Sequence, residues 1–207
     1  MRMDSFDKLY MDQLKDAYSA EKQLVKALPK MVKSATSPEL RTALEEHLDV
    51  TRRQVERLEG IFQDLGKPAS GKTCKGMAGI IEEGQELLHE DGDPEVIDAG
   101  IIAAAQRVEH YEIAAYGTLR SFAETKGHTK AARILEEILN EEKEADERLT
   151  RIAESSVNLV ARDVDEDEWD EDEDEKGKRE GQGRVQPGRG MSASDTGRRD
   201  KANGPWS

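Results

Sequence analysis

Val108-Glu109-His110-Tyr111-Glu112 sets two carboxylates three residues apart inside a stretch, Pro94 to Lys126, whose apolar residues recur at helical spacing. Ile101, Ala105, Val108, Ala115, Leu119 and Phe122 form one stripe of that helix, and such a stripe faces a core. A carboxylate on it is costly unless something positive compensates it, because an unpaired buried charge takes up a proton instead. The i, i+3 relation lets Glu109 and Glu112 approach one point, so the chemistry they suggest is metal ligation. His110 points about 100° away from Glu109 and reads as a surface or interface residue. Tyr111 and Tyr116 read first as packing residues.

Comparable residues interrupt the other apolar faces. Glu21 lies three residues after Tyr18 and three before Leu24, so its Cβ points along the apolar side of the first helix. His47, Thr51 and Gln54 share a face of the second helix, flanked by Leu44 and Leu58. His47 and Gln54 are two turns apart, roughly 10 Å along the axis, so a single ion does not take both. On the last helix Glu142 and Asp146 break the seam Leu135, Ile138, Leu139, Leu149, Ile152, whereas Glu141 and Glu144 fall more toward solvent. Each residue alone also fits a hydrogen-bonded core group or a boundary carboxylate paired with a lysine or arginine such as Arg107. Together, inward acids on three helices with His and Gln at similar height on a fourth match the way bundle proteins build carboxylate metal sites. An oxygen-rich set with one imidazole favours Fe or Mn over Zn or Cu(I).

The elements that must position these side chains are all helical, and no segment alternates as a strand does. The first helix spans about Asp4 to Lys33, with Leu9, Leu14, Ala17, Tyr18, Leu24 and Leu28 inward and Pro29 set to bend its last turn. Ser37-Pro38 supplies an N-cap and a first-turn proline for a second helix that Gly66 ends; Leu40, Leu44, Leu48, Val55, Leu58 and Phe62 face inward. A linker from Lys67 to Pro94 holds a short helix around Met77 to His89. Asp93-Pro94 restarts a long helix that Gly127 stops, and Thr129 caps the last one. Hairpin, long crossover, hairpin is the connectivity of an all-α, ferritin-like four-helix bundle with a helix-containing crossover between its second and third helices.

With 207 residues, 37% of them charged and 4% aromatic, the chain supports one helical domain and an appendage. We place the bundle at residues 1–162 and a disordered tail at 163–207. Asp165 to Glu175 is acidic except at Trp169, and a Gly/Arg/Ser stretch follows; neither can bury a core. The tail reads as a solubilising appendage or as a tether for a basic partner or divalent cations. A formal net charge of −14 argues against nucleic-acid affinity. No apolar run approaches the roughly 20 residues of a membrane helix, and the first residues lack a secretory signal, so a cytoplasmic location is the default. The single cysteine, Cys74, excludes an intrachain disulfide and reads as an inert thiol.

Tyr18-Ser19-Ala20-Glu21-Lys22-Gln23-Leu24, Ala27-Leu28-Pro29-Lys30-Met31, Gly71-Lys72-Thr73-Cys74 and the run Ala103 to Gly117 resemble the bacterial YciE/YciF family of ferritin-like proteins over about Phe6 to Ala153. That resemblance implies a ferritin-like bundle related to rubrerythrins, a homodimer, and an association with stress. It likens Glu109 and Glu112 to the third-helix carboxylates of rubrerythrin, Glu21 to its first-helix glutamate and Glu142 to its fourth-helix glutamate. Two positions depart from the pattern. Thr51-x-x-Gln54 stands where Glu-x-x-His is expected, and Ala145 replaces the histidine expected three residues after Glu142, with Asp146 as the nearest substitute. The Cys-x-x-Cys pairs of a rubredoxin module are absent from the sequence.

The expectation is a stress-related protein that binds Fe or Mn through Glu21, His47, Gln54, Glu109, Glu112, Glu142 and Asp146. If it turns over, the chemistry is peroxidase-like reaction of a metal pair with peroxide or dioxygen, with Glu109 bridging and Tyr18 or Tyr116 as hydrogen-bond donor. The alternative is a non-catalytic protective or interaction protein on the same scaffold. Storage in a cage is disfavoured by the altered ligands and the resemblance to a dimeric family.

Overall fold

The computed structural model describes residues 3–70 and 72–164. Among them no strand occurs, and five α-helices follow in order: α1 (Phe6–Ser34), α2 (Pro38–Asp64), α3 (Lys75–Leu87), α4 (Pro94–Thr125) and α5 (Thr129–Ile152). A π-helical turn, Ala153–Val157, continues α5 into a helical stretch at 158–164. The expected all-α bundle with a helix in its crossover is therefore present. The acidic run and the Gly/Arg/Ser stretch of the expected tail, from residue 165 on, lie outside the described residues, as does Gly71. No described helix is long and apolar enough to cross a membrane.

Local chemistry explains most of the boundaries. Ser5 and Ser37 accept the Lys8 and Leu40 amides at the starts of α1 and α2, and Pro38 occupies the first turn of α2. Gly66 and Gly127 adopt positive φ of 64° and 70° just past α2 and α4, a conformation that L side chains resist. Helix α1 runs as expected through Pro29, to Ser34, with Pro29 on the exposed side where a missing amide donor costs least. One expectation shifts. His128, not Thr129, is the N-cap of α5, and it makes no side-chain capping bond.

Two apolar clusters divide the bundle. One gathers Leu24, Leu28, Leu40, Leu44, Ile101 and Leu149; the other gathers Tyr10, Leu14, Leu58, Phe62, Tyr116 and Leu135. The seam of α1 turns slightly from the expected one, with Tyr10 buried and Leu9 only partly so. Helices α1 and α5 run from the second cluster to the first, and α2 and α4 run the other way. Because α2 and α4 are parallel, the chain leaving α2 must travel back along a helix of 27 residues, about 40 Å, before α4 can begin. Helix α3 makes that return, packed on α4 and α1.

Polar contacts fix the crossover and the first turn. Cys74 caps α3, its amide donating to Ser19 Oγ at 2.9 Å, and its sulfur lies 2.9 Å from the Tyr111 hydroxyl, which donates to Asp16 at 2.8 Å. Lys72 bridges Asp12 and Asp16. A Cβ on Gly76 would fall 2.8 Å from the Tyr111 ring, so α3 approaches α4 closely only because that position lacks a side chain. At the opposite end buried Asp98 of α4 accepts the Thr36 amide, the Thr36 hydroxyl and the Ser37 amide at 2.9, 2.7 and 2.6 Å.

Candidate metal centre

Between the two apolar clusters lies a layer of buried polar side chains. His47 of α2, Glu109 and Glu112 of α4 and Glu142 of α5 each offer a ligand atom within 4.8 Å of the others. Helical spacing explains the convergence: Glu109 and Glu112 stand on one face of α4, and the packing of α4 against α5 and of α2 against α5 brings Glu142 and His47 to that face. Glu21 of α1 is fully buried beside Glu112 and accepts the Tyr116 hydroxyl.

Donors are too few for this layer. Gln54 donates to Glu142 and, at 3.0 Å, to Glu141, which also pairs with Arg57. His47 Nε2 sits 3.4 Å from Glu109 Oε1 yet makes no hydrogen bond. Left without partners are Glu21 Oε2, Glu109 Oε2, Glu112 Oε1, Glu142 Oε2, Gln54 Oε1 and His47 Nε2. Buried polar atoms are ordinarily satisfied, so this concentration of orphaned acceptors requires protons or a cation.

In the metal-free chain protons fill that role. Burial, reinforced by the neighbouring carboxylates, raises Glu109, Glu112 and Glu21 well above the usual carboxylate range. Burial pushes Glu142 up to about 7, with hydrogen bonds from Glu109 and Gln54 restraining the rise. Glu109 lies against Glu142, and Glu112 against Glu21, so the carboxyls of each pair interact directly. Burial holds His47 down at about 4, so its imidazole is neutral and keeps a free lone pair. Carboxylates with one neutral imidazole form a donor set suited to a hard or borderline divalent ion, and the four converging residues could hold one.

The residues expected from sequence separate into three groups. Glu21, His47, Glu109, Glu112 and Glu142 share the buried layer. Gln54 is equally buried but acts as a donor orienting Glu142. Asp146 is not brought to the centre: one turn beyond Glu142, it accepts Gln106 at 3.1 Å and lies 3.3 Å from exposed His110. Of the two tyrosines, Tyr116 serves the layer, whereas Tyr18 donates to Glu59 at 2.6 Å. The imidazole comes from His47, one turn before Thr51, whose hydroxyl bonds back to the His47 carbonyl at 3.0 Å. Arg57 escaped the sequence reading although it stands three residues after Gln54 on the same side of α2. Its partner Glu141 lies beside Glu142.

A cavity of about 350 Å³ opens between α2 and α5 onto His47 and Glu109. Ala145, where the resemblance leads one to expect histidine, lines it.

Residues 5–162 match the family model described as a domain of unknown function, DUF892. The chain is 42% identical over 159 residues to protein YciF of Escherichia coli strain K12, covering 76% of this chain and 96% of that protein. It is similar to the crystal structure of the E. coli stress protein YciF with a TM-score of 0.73, over 75% of this chain and 99% of that one. YcfI of Rhodopseudomonas palustris matches at 45% identity and a TM-score of 0.70, over 72% of this chain and 97% of that one.

Proposed function

This chain belongs to the DUF892 family, and from that premise we propose that it is a stress-associated ferritin-like protein that binds iron or manganese in its buried carboxylate layer. The observation that carries the reading is the convergence of His47, Glu109, Glu112 and Glu142 within 4.8 Å, each with an acceptor atom that lacks a partner. The likeness to a protein called a stress protein supports the biological setting. When bound, iron or manganese would supply the electrons for reducing peroxide or dioxygen.

The residues have separable tasks in this reading. Glu109 faces both His47 and Glu142 and would hold the metal together with them. His47 arrives neutral, so no proton must leave it before ligation. Gln54 orients Glu142, and Tyr116 orients Glu21 as a hydrogen-bond donor. The apolar clusters close the layer off above and below, so that its opening lies between α2 and α5.

Metal analysis of untagged protein, together with metal-free protein reconstituted anaerobically with Fe(II), tests the proposal. At least one equivalent per chain is expected, lost in Glu109→Gln/Glu112→Gln; equal metal in that variant refutes the assignment. The hydrogen bonds from Gln54 and Tyr116 to carboxylates also support a second reading, a protonated polar core in a non-catalytic protective protein. Absence of metal from both preparations would favour it.

A further inference from the structure

We propose that the cavity between α2 and α5 is the route by which a divalent cation reaches the carboxylate layer, with Glu144 as the carboxylate that receives it; this rests on the metal-binding reading above. The cavity, about 350 Å³, has His47 and Glu109 at its inner end. Both are at least nine-tenths buried, and His47 Nε2 and Glu109 Oε2 lack hydrogen-bond partners. Two buried ligand residues with unpartnered atoms along a solvent-connected space distinguish this opening from an ordinary surface groove.

Its shape follows from two small residues. Ala43 on α2 and Ala145 on α5 line the opening, and a larger side chain at either would close the gap between the helices. The outer charges are unequal. Arg148 is neutralised by Glu46, Arg57 by Glu141, and Arg151 stands 3.9 Å from Glu147. Glu144 is exposed, lines the cavity and has no cationic partner among the described residues. A carboxylate of uncompensated charge at a low-dielectric mouth raises the local concentration of cations and repels anions.

The test is stopped-flow uptake of Co²⁺ by the metal-free full-length chain, followed by the visible absorbance of bound Co²⁺, and release of that ion to excess chelator. Ala145→Leu should slow both uptake and release by on the order of tenfold or more, leaving the final Co²⁺ per chain and its spectrum unchanged. Ala43→Leu, from the opposite wall, should do the same and serves if the first variant folds poorly. Glu144→Lys should slow uptake at low salt by roughly tenfold, with the difference from wild type shrinking as salt rises. Wild-type rates in both plugged variants, with full loading, would overturn the route while leaving the metal reading standing. No Co²⁺ uptake by the wild-type chain would overturn the metal reading and the route together.

Discussion

Metal-free protein should become more stable, not less, as the pH falls from 8 to 6. A group protonated in the folded chain and ionised in the unfolded one contributes about 1.4 kcal/mol per pH unit. Glu142, pushed up to about 7 from 4.5, holds its proton more tightly when folded. Its contribution is complete below the unfolded value and fades as pH rises through 7, giving about 1 kcal/mol between pH 8 and 6. His47 opposes this: held at about 4 when folded and 6.5 when free, it withdraws somewhat less than about 1 kcal/mol over the same interval. Glu109, Glu112 and Glu21 are raised well above 4.5 and tip the balance. A net gain on the order of 1 kcal/mol follows, which for a helical unit of this size raises Tm by roughly 3 °C. Calorimetry of chelator-treated protein at pH 8, 7 and 6 measures it. Glu109→Gln/Glu112→Gln should flatten the slope and raise Tm at pH 8, and saturating Mn²⁺ should reverse it, because ligation requires the ionised carboxylates. A metal-free Tm that is constant or falls on acidification would refute the buried, protonated layer.

Asp98→Ala removes the acceptor of three hydrogen bonds from the turn between α1 and α2 and should cost about 2 to 4 kcal/mol; a thermal shift under about 2 °C would contradict its anchoring role. Cys74 is fully buried, and burial raises its thiol pKa, so a colourimetric thiol reagent should label denatured protein at once and native protein only slowly, at the rate of local opening. Gly76→Ala forces the Tyr111 ring aside and should destabilise the chain by about 1 to 3 kcal/mol. Combining it with Tyr111→Ala should make the pair less costly than the sum of the single variants; strict additivity would deny the contact.

The angular position of a residue on its own helix was legible in sequence. Glu21, Glu109, Glu112 and Glu142 were found because each interrupts an apolar stripe, and every one of them is buried. The same periodicity placed Asp146 on the stripe, since i and i+4 share a face. Asp98 went unnoticed because it sits near the start of α4, where an acidic residue needs no explanation beyond the helix terminus. Cys74 was read as inert, and its burial agrees; its capping of α3 had no signal, cysteine being an unusual cap.

From the chain alone came the helical content, the long crossover and the inward carboxylates, all properties of periodicity within single segments. Only the tertiary structure decided which ligand atoms meet. Axial register between helices depends on how their side chains interlock, and no pattern within one helix encodes it. That register brings His47 to Glu109, turns Gln54 into a donor for Glu142 and leaves Asp146 with Gln106. It also converts Ala43 and Ala145, unremarked small residues in two distant segments, into the walls of one opening.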